Sequence, residues 1–450
     1  MKTALQRWAI VVFALLLAEV SIANTTAFVN VNVVSMSSGS VIAAQTVLVE
    51  DDIIVAIGSV DDVRIPKGAI AIDGTDRYLM PGLGEMHAHV PDADSSELDR
   101  YFTLFVANGI TTVRGMLGRP SHLALRQRLL DGTLFGPRLI ASGPSLNGRS
   151  VAGPADARRQ VREQAALGYD FIKVHPGLSA AEFTALAETA NELGIPFAGH
   201  VPVAAGVATA LRLKMRAIDH LDGYFVALLP PDSHRSGGYG GFFDVMLADE
   251  LEVERIGEMV SATAAAGTWN VPTQVLVEQL VSTVPVEDLR NRPEMKYMPK
   301  RTVQDWAAAK EAQIAERGFD AGTAALAIEL RRRLIFALHD SGARLLLGSD
   351  APQIFNVPGF SAHRELEALV ASGLTPFEAL QTGTAAVAEF LGTNAGHVQA
   401  GKDADLVLLD ANPLEDIQNS RRIHGVMLRG VWLPGKTLEE RLEKFDDDAG

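Results

Sequence analysis

The chain has no cysteine. That excludes disulfides and thiolate metal sites, so a bound metal must be held by His, Asp, Glu or Lys. Positive charge is also short: 40 Lys and Arg stand against 55 Asp and Glu, for a net charge of −15. Such a balance offers no basic face for nucleic acid, and the acid excess reads as solubility. After residue 23 no stretch is apolar enough to span a bilayer. No Gly-rich dinucleotide fingerprint follows the first strands, and no solenoid-length repeat or low-complexity tract is present.

What is present begins with a leader pattern. Lys2 and Arg7 precede the uncharged apolar run Ala9 to Ala18, and Ser21-Ile22-Ala23 offers small residues at a cleavage site. Residues 1–23 are therefore expected to be a secretory signal peptide, which implies a periplasmic or secreted protein with no stable membrane anchor after cleavage.

The remaining 24–450 divide by texture. Residues 24–79 hold short β-rich runs such as Thr46-Val47-Leu48-Val49 and Ile53-Ile54-Val55-Ala56-Ile57, punctuated by Gly58, Gly68 and Gly74. From 80 to 392 apolar strands alternate with helical stretches. Eight strands are expected, near Met80–Val90, Ile110–Arg114, Arg138–Ser142, Phe171–His175, Pro196–Val201, Ala217–Leu221, Thr268–Pro272 and Leu345–Asp350. Capping boxes open helices at Ser179 and Thr375, and Gly194 closes the first of these. Strands return over 393–435, and 436–450 is a charged, solvated tail. The pattern predicts an α/β chain: a (β/α)8 TIM-like barrel with a small β-sandwich domain built from both chain ends. The loop Leu228–Phe243, rich in Pro, Gly and Ser, would lie over the active face of that barrel.

His87 and His89, spaced i, i+2, point to one face of a strand and form a metal half-site. Alone, such a pair is equally compatible with core or surface histidines. It is not alone. His200, His220 and Asp350 end the fifth, sixth and eighth expected strands, and Lys173 lies in the fourth. Six ligand-type residues on five strands all fall where barrel strands reach their active face.

This pattern resembles the two-metal branch of the amidohydrolase superfamily. Pro81-Gly82-Leu83-Gly84-Glu85-Met86-His87-Ala88-His89 looks like its first-strand signature, and Gly401-Lys402-Asp403-Ala404-Asp405-Leu406-Val407 like its C-terminal β signature. Within it, the chain is similar to the imidazolonepropionase-like, Xaa-Pro and Xaa-Arg dipeptidase-like and ochratoxin-degrading group. The resemblance implies two divalent ions, zinc being the best match. His87, His89 and Asp350 would hold one, and His200 and His220 the other. Lys173 would bridge both as an N-carboxylated anion formed with carbon dioxide, since an ammonium cannot ligate a cation. Metal-activated water would attack an amide, with Asp350 shuttling the proton.

A dipeptide or N-acyl amino acid is the expected substrate, and a homo-oligomer the expected assembly. A lactone or phosphotriester hydrolase on the same metals, and a non-catalytic scaffold, remain as alternatives. Tyr224 is a candidate oxyanion donor. Arg114 and Arg149 are candidates for a substrate carboxylate, Tyr297 for the pocket wall, and His175, His234 and His363 for substrate or supporting contacts. Gly115 stands where relatives of this kind carry an Asp after the strand-2 arginine, and Asn147-Gly148-Arg149-Ser150 departs from a Gly-Gly-His-type loop.

Overall fold

The computed structural model describes residues 25–235, 242–316 and 319–446. The expected signal segment, 1–23, and the last four residues lie outside the described residues. Among the described residues, no helix is long and apolar enough to cross a membrane.

The N-terminal strands are β1 (Thr25–Ser35), β2 (Ser40–Glu50), β3 (Ile53–Ser59), β4 (Ile70–Asp73) and β5 (Tyr78–Pro81). Seven central strands follow: β6 (Leu83–Ala88), β7 (Ile110–Gly115), β8 (Arg138–Ala141), β9 (Ile172–Val174), β10 (Phe197–Gly199), β11 (Ala217–Asp219) and β12 (Trp269–Val271). The C-terminal strands are β13 (Leu406–Leu409), β14 (Ile423–Leu428) and β15 (Val431–Pro434).

Strands from the two chain ends share one eight-stranded sheet, ordered β15-β14-β13-β5-β1-β2-β3, with β4 beside β1. The expected sandwich of separate sheets is therefore replaced by a continuous one, because β13 pairs antiparallel with β5 and joins the two halves. The sheet curls over its own core. Phe28 of β1 meets Trp432 of β15 edge to face at 5.3 Å, although three strands separate them in the order. Val33, Val47, Leu79, Leu406 and Met427 fill the space between. The tail starts as the helix Gly435–Leu442. It is docked rather than wholly solvated: Leu438 is buried, and Lys296 Nζ donates to Asp446 Oδ2 at 2.8 Å.

The central strands are parallel and form two sheets, β6-β7-β8 and β9-β10-β11-β12. Isolated parallel bridges join Ser142 to Phe171, Asn270 to Leu345 and Ala88 to Ala351. Met86, Phe171, Ala198, Ala217, Val271 and Leu346 pack together from both sheets and the 345–351 segment. That segment was expected as an eighth strand; it pairs through such bridges and through backbone hydrogen bonds such as Met86 N–H to the Leu347 carbonyl and Asp350 N–H to the His87 carbonyl, both at 2.8 Å, without forming a continuous strand. Its backbone leaves the extended region at Asp350, whose φ is 62°. Gly348 allows its close approach, since a Cβ there would sit 2.4 Å from Val271 Cγ1 and 3.0 Å from the His87 nitrogen.

The expected strand Met80–Val90 is two strands, and Gly82 is the joint. Its N–H donates to the Asp405 carbonyl at 2.8 Å, and a Cβ would strike Thr111 at 2.3 Å. So β5 completes the end sheet and β6 continues straight to His87. Helices flank the central strands as their local sequences dictate. Ser179 and Thr375 each form a capping box, with Glu182 and Glu378, and Gly194 closes its helix at φ 70°. The connection after β12 is the longest, with helices at Gln274–Val281, Val286–Arg290, Lys300–Ile314 and Ala321–Asp340.

Candidate metal centre

The ends of β6, β10 and β11 and the turn at Asp350 converge. His87 Nε2 lies 3.5 Å and His89 Nε2 3.1 Å from Asp350 Oδ1. His220 Nδ1 is 3.7 Å from Asp350 Oδ2. Ligand atoms of His87, His220 and Asp350 all fall within 4.8 Å of one another. The His220 ring is 4.5 Å from that of His87 and 4.6 Å from that of His200. His87, His200, His220 and Asp350 are buried, whereas the His89 side chain is 26% exposed and marks the open side.

Backbone strain coincides with the chemistry. His220 has φ 61° and Asp350 φ 62°, conformations that non-glycine residues hold only when their surroundings enforce them. Arg331 does this at His220. Its guanidinium is buried and donates to the carbonyls of His220 and Pro272 and to Gln274 Oε1, at 2.8, 2.9 and 2.9 Å. His200 Nδ1 shares a 2.5 Å hydrogen bond with Asp222 Oδ2, and His220 Nδ1 one of 2.8 Å with the Thr273 hydroxyl. His175 stacks on His200 at 4.9 Å.

Lys173 is fully buried on β9, and its Nζ donates to Asp219 Oδ2 at 3.4 Å. Asp219 Oδ2 also lies 3.0 Å from His87 Nδ1, near enough to interact though not aligned as a hydrogen bond. Arg114 Nη2 donates to Asp219 Oδ1 at 3.1 Å, and its Nε to the Met86 carbonyl at 2.7 Å.

Burial dominates the electrostatics. It holds His87, His200 and His220 well below the ordinary imidazole value, and neighbouring cations push the same way. Burial also lowers Lys173 and raises Asp350, while His89 and Lys173 oppose the latter shift. Neutral imidazoles present lone pairs. Asp350 Oδ1 is buried with no hydrogen-bond partner, yet it faces Nε2 of both His87 and His89. Imidazole nitrogens and a carboxylate oxygen converging this closely make a nitrogen and oxygen donor set that suits a divalent cation. The residues present therefore fit a metal ion.

The other expected site residues divide sharply. Arg149 is exposed on the loop after β8. Arg114 was expected to meet a substrate carboxylate. It is instead fully buried, its charge matched by Asp219, with Phe171 and Phe390 rings 5.4 and 5.2 Å away. Tyr224 is corrected likewise: it is fully buried, and its hydroxyl bonds Asn270 Oδ1 at 2.8 Å and Thr263 at 3.1 Å. Both nitrogens of buried His363 are occupied, by the Ser420 hydroxyl at 2.9 Å and the Asn108 carbonyl at 3.0 Å, so it cannot serve a substrate. Tyr297 stacks on Phe360 at 5.9 Å, and its carbonyl accepts from Arg100. His234 is exposed on the loop that follows β11. A later part of that loop does reach the site, where the Phe243 ring lies 5.1 Å from that of His220.

Sequence reasoning missed Glu85, Asp219, Asp222 and Arg331. The first three sit within two residues of a candidate ligand, which was their only signal. Arg331, in the middle of a long helix, had none.

Parallel strands deliver histidines and an aspartate to one buried cluster, an arrangement that suits a metal-dependent hydrolase. The amidohydrolase family model matches residues 78–433, and the chain belongs to that family. Among curated proteins it is similar to ochratoxinase of Aspergillus niger, 24% identical over 426 residues, covering 87% of this chain and 82% of that protein. Among solved structures it is similar to a bottromycin amidohydrolase, with TM-score 0.74, 25% identity, and 95% and 92% of the two chains covered. A putative prolidase from Bifidobacterium longum aligns with TM-score 0.68 and 22% identity over 94% and 99%. The family implies a divalent metal, and His87, His220 and Asp350 form a candidate site for it.

Proposed function

We propose that this chain is an exported two-metal hydrolase that cleaves the amide bond of a dipeptide or N-acyl amino acid. The central strands are read as one (β/α)8 barrel over 80–392, flanked by a β domain from 24–79 and 393–435. The bridges at Ser142, Asn270 and Ala88 support closure of that ring. Residues 1–23 support export. Relatives named for ochratoxin and for prolidase activity support a small amide substrate.

The observation that carries the reading is the meeting of His87 Nε2 and His89 Nε2 at one unpartnered oxygen of Asp350. His87, His89 and Asp350 would hold one zinc ion, and His200 and His220 a second. Lys173, once N-carboxylated, would reach both. When bound, such ions acidify water and polarise a carbonyl. The chain supplies the rest. Asp350, buried beside the more open His89, would take a proton from the attacking water and return it to the leaving amine nitrogen. Tight burial of His87, His200 and His220 keeps them neutral and fixed. Arg149, exposed on the loop after β8, would bind a free carboxylate of the substrate.

The test is metal analysis of the full-length protein, followed by a screen of the zinc-loaded enzyme. Two zinc ions per chain and cleavage of dipeptides or N-acyl amino acids are expected. Protein labelled with 13C-bicarbonate is expected to show a carbamate signal that Lys173→Ala lacks. Failure to bind zinc, or hydrolysis of lactones or phosphotriesters with no amide cleavage, overturns the reading. Sequencing the N-terminus of exported protein tests cleavage after Ala23.

A further inference from the structure

Asp219 has no role in the chemistry above, yet four strands meet at its carboxylate. It closes β11, one residue before His220, and is fully buried. Its oxygens are divided between two tasks. Oδ1 receives the Arg114 guanidinium at 3.1 Å. Oδ2 lies 3.0 Å from His87 Nδ1 on β6 and 3.4 Å from Lys173 Nζ on β9. Arg114, from β7, also grips the Met86 carbonyl, the backbone just before His87.

A buried ion pair is a poor way to gain stability. Desolvation of both charges offsets most of the attraction, and apolar residues of the same volume serve as well or better. Packing alone does not explain why Asp219 and Arg114 occupy this interior. Orientation does. An imidazole has two nitrogens, and the partner of one decides which of them is left to ligate. Asp219 stands behind His87, on the Nδ1 side, while Nε2 looks toward Asp350 at 3.5 Å. Lys173 presents an N–H to the same oxygen, and its nitrogen keeps one hydrogen even after N-carboxylation.

We propose that Asp219, braced by Arg114, is the positioning residue of the metal centre: its carboxylate faces the Nδ1 side of His87 and accepts an N–H of Lys173, holding both side chains toward the metals. The proposal rests on the reading of His87 and Lys173 as ligands. It also gives Arg114 a part at the site without contact with substrate.

The test compares the full-length protein with Asp219→Asn and His87→Ala, with zinc as the probe. An amide at 219 keeps the volume but points donors where an acceptor is required. Asp219→Asn is expected to bind zinc about 10- to 100-fold more weakly in chelator competition, with an unchanged circular dichroism spectrum. Parental zinc affinity in that variant overturns the proposal. His87→Ala separates the two layers: if it keeps parental zinc content and affinity, the ligand reading itself is wrong. Should Asp219→Asn fail to fold, 15N-histidine NMR of the unsubstituted, zinc-loaded chain decides. His87 protonated at Nδ1 and ligated through Nε2 is expected, and the opposite tautomer refutes it.

Discussion

Glu85 binds Ser349 twice, taking its backbone N–H at 2.8 Å on one oxygen and its hydroxyl at 2.6 Å on the other. The first oxygen also accepts the His87 N–H at 3.0 Å. One buried carboxylate thus adds to the backbone hydrogen bonds that tie β6 to the segment carrying Asp350. Glu85→Gln replaces an acceptor oxygen by a donor facing these hydrogens. The variant is expected to lose about 1–3 kcal/mol of stability, measured by denaturant titration. An unchanged midpoint would show that the seam does not depend on Glu85.

Glu365 caps the helix Gln274–Val281, accepting from the Gln274 and Val275 N–H groups at 2.9 and 2.7 Å. Burial nevertheless pushes its pKa up from 4.5 to about 8. Between those values the folded chain keeps a proton that the unfolded chain has released. Its contribution therefore falls as pH rises through that window. Glu365→Gln does not titrate. The stability of the parent relative to this variant is expected to shrink between about pH 5 and about pH 8.5. A difference that grows over that range would contradict the assignment.

Asp350 combines ligation with proton transfer in the proposed mechanism. Asp350→Asn keeps an oxygen but cannot carry the proton. Its kcat is expected to fall about 10²–10⁴-fold, with a smaller loss of zinc content. Equal losses of metal and rate would reduce Asp350 to a ligand.

Arg149 is the exposed arginine of the two expected to bind a carboxylate, since Arg114 is buried against Asp219. Arg149→Gln is expected to raise KM about 10- to 100-fold for substrates with a free carboxylate. C-terminal amides of the same substrates should be indifferent to the change. A similar KM shift for both kinds would remove Arg149 from recognition.

Much of the candidate site was legible because its residues end strands, and strands announce themselves by short apolar runs. His200 follows β10 directly, and His220 follows β11. Lys173 was found on β9 for the same reason. The eighth strand was read in the right place but with the wrong regularity, since nothing in Leu345–Asp350 announces a left-handed residue at Asp350. For Arg114 on β7 and Tyr224 just beyond β11, position along the chain does not say whether a long side chain turns outward or is claimed within. Asp219 claims the first, and Asn270 and Thr263 the second. Such pairings between distant residues leave no local trace.

The joint at Gly82 has a consequence for how the enzyme comes into being. The strand that leads into His87 has β13 on one flank, and the neighbouring Arg77–Asp410 contact spans 333 residues of sequence. During synthesis β5 is made early and its partner nearly last. A chain ending before Leu406 would leave β5 with an open edge beside the strand that carries His87, a site for misassociation as well as a loose support. The support of the strand that carries His87 is thus complete only once the C-terminal strands have been made.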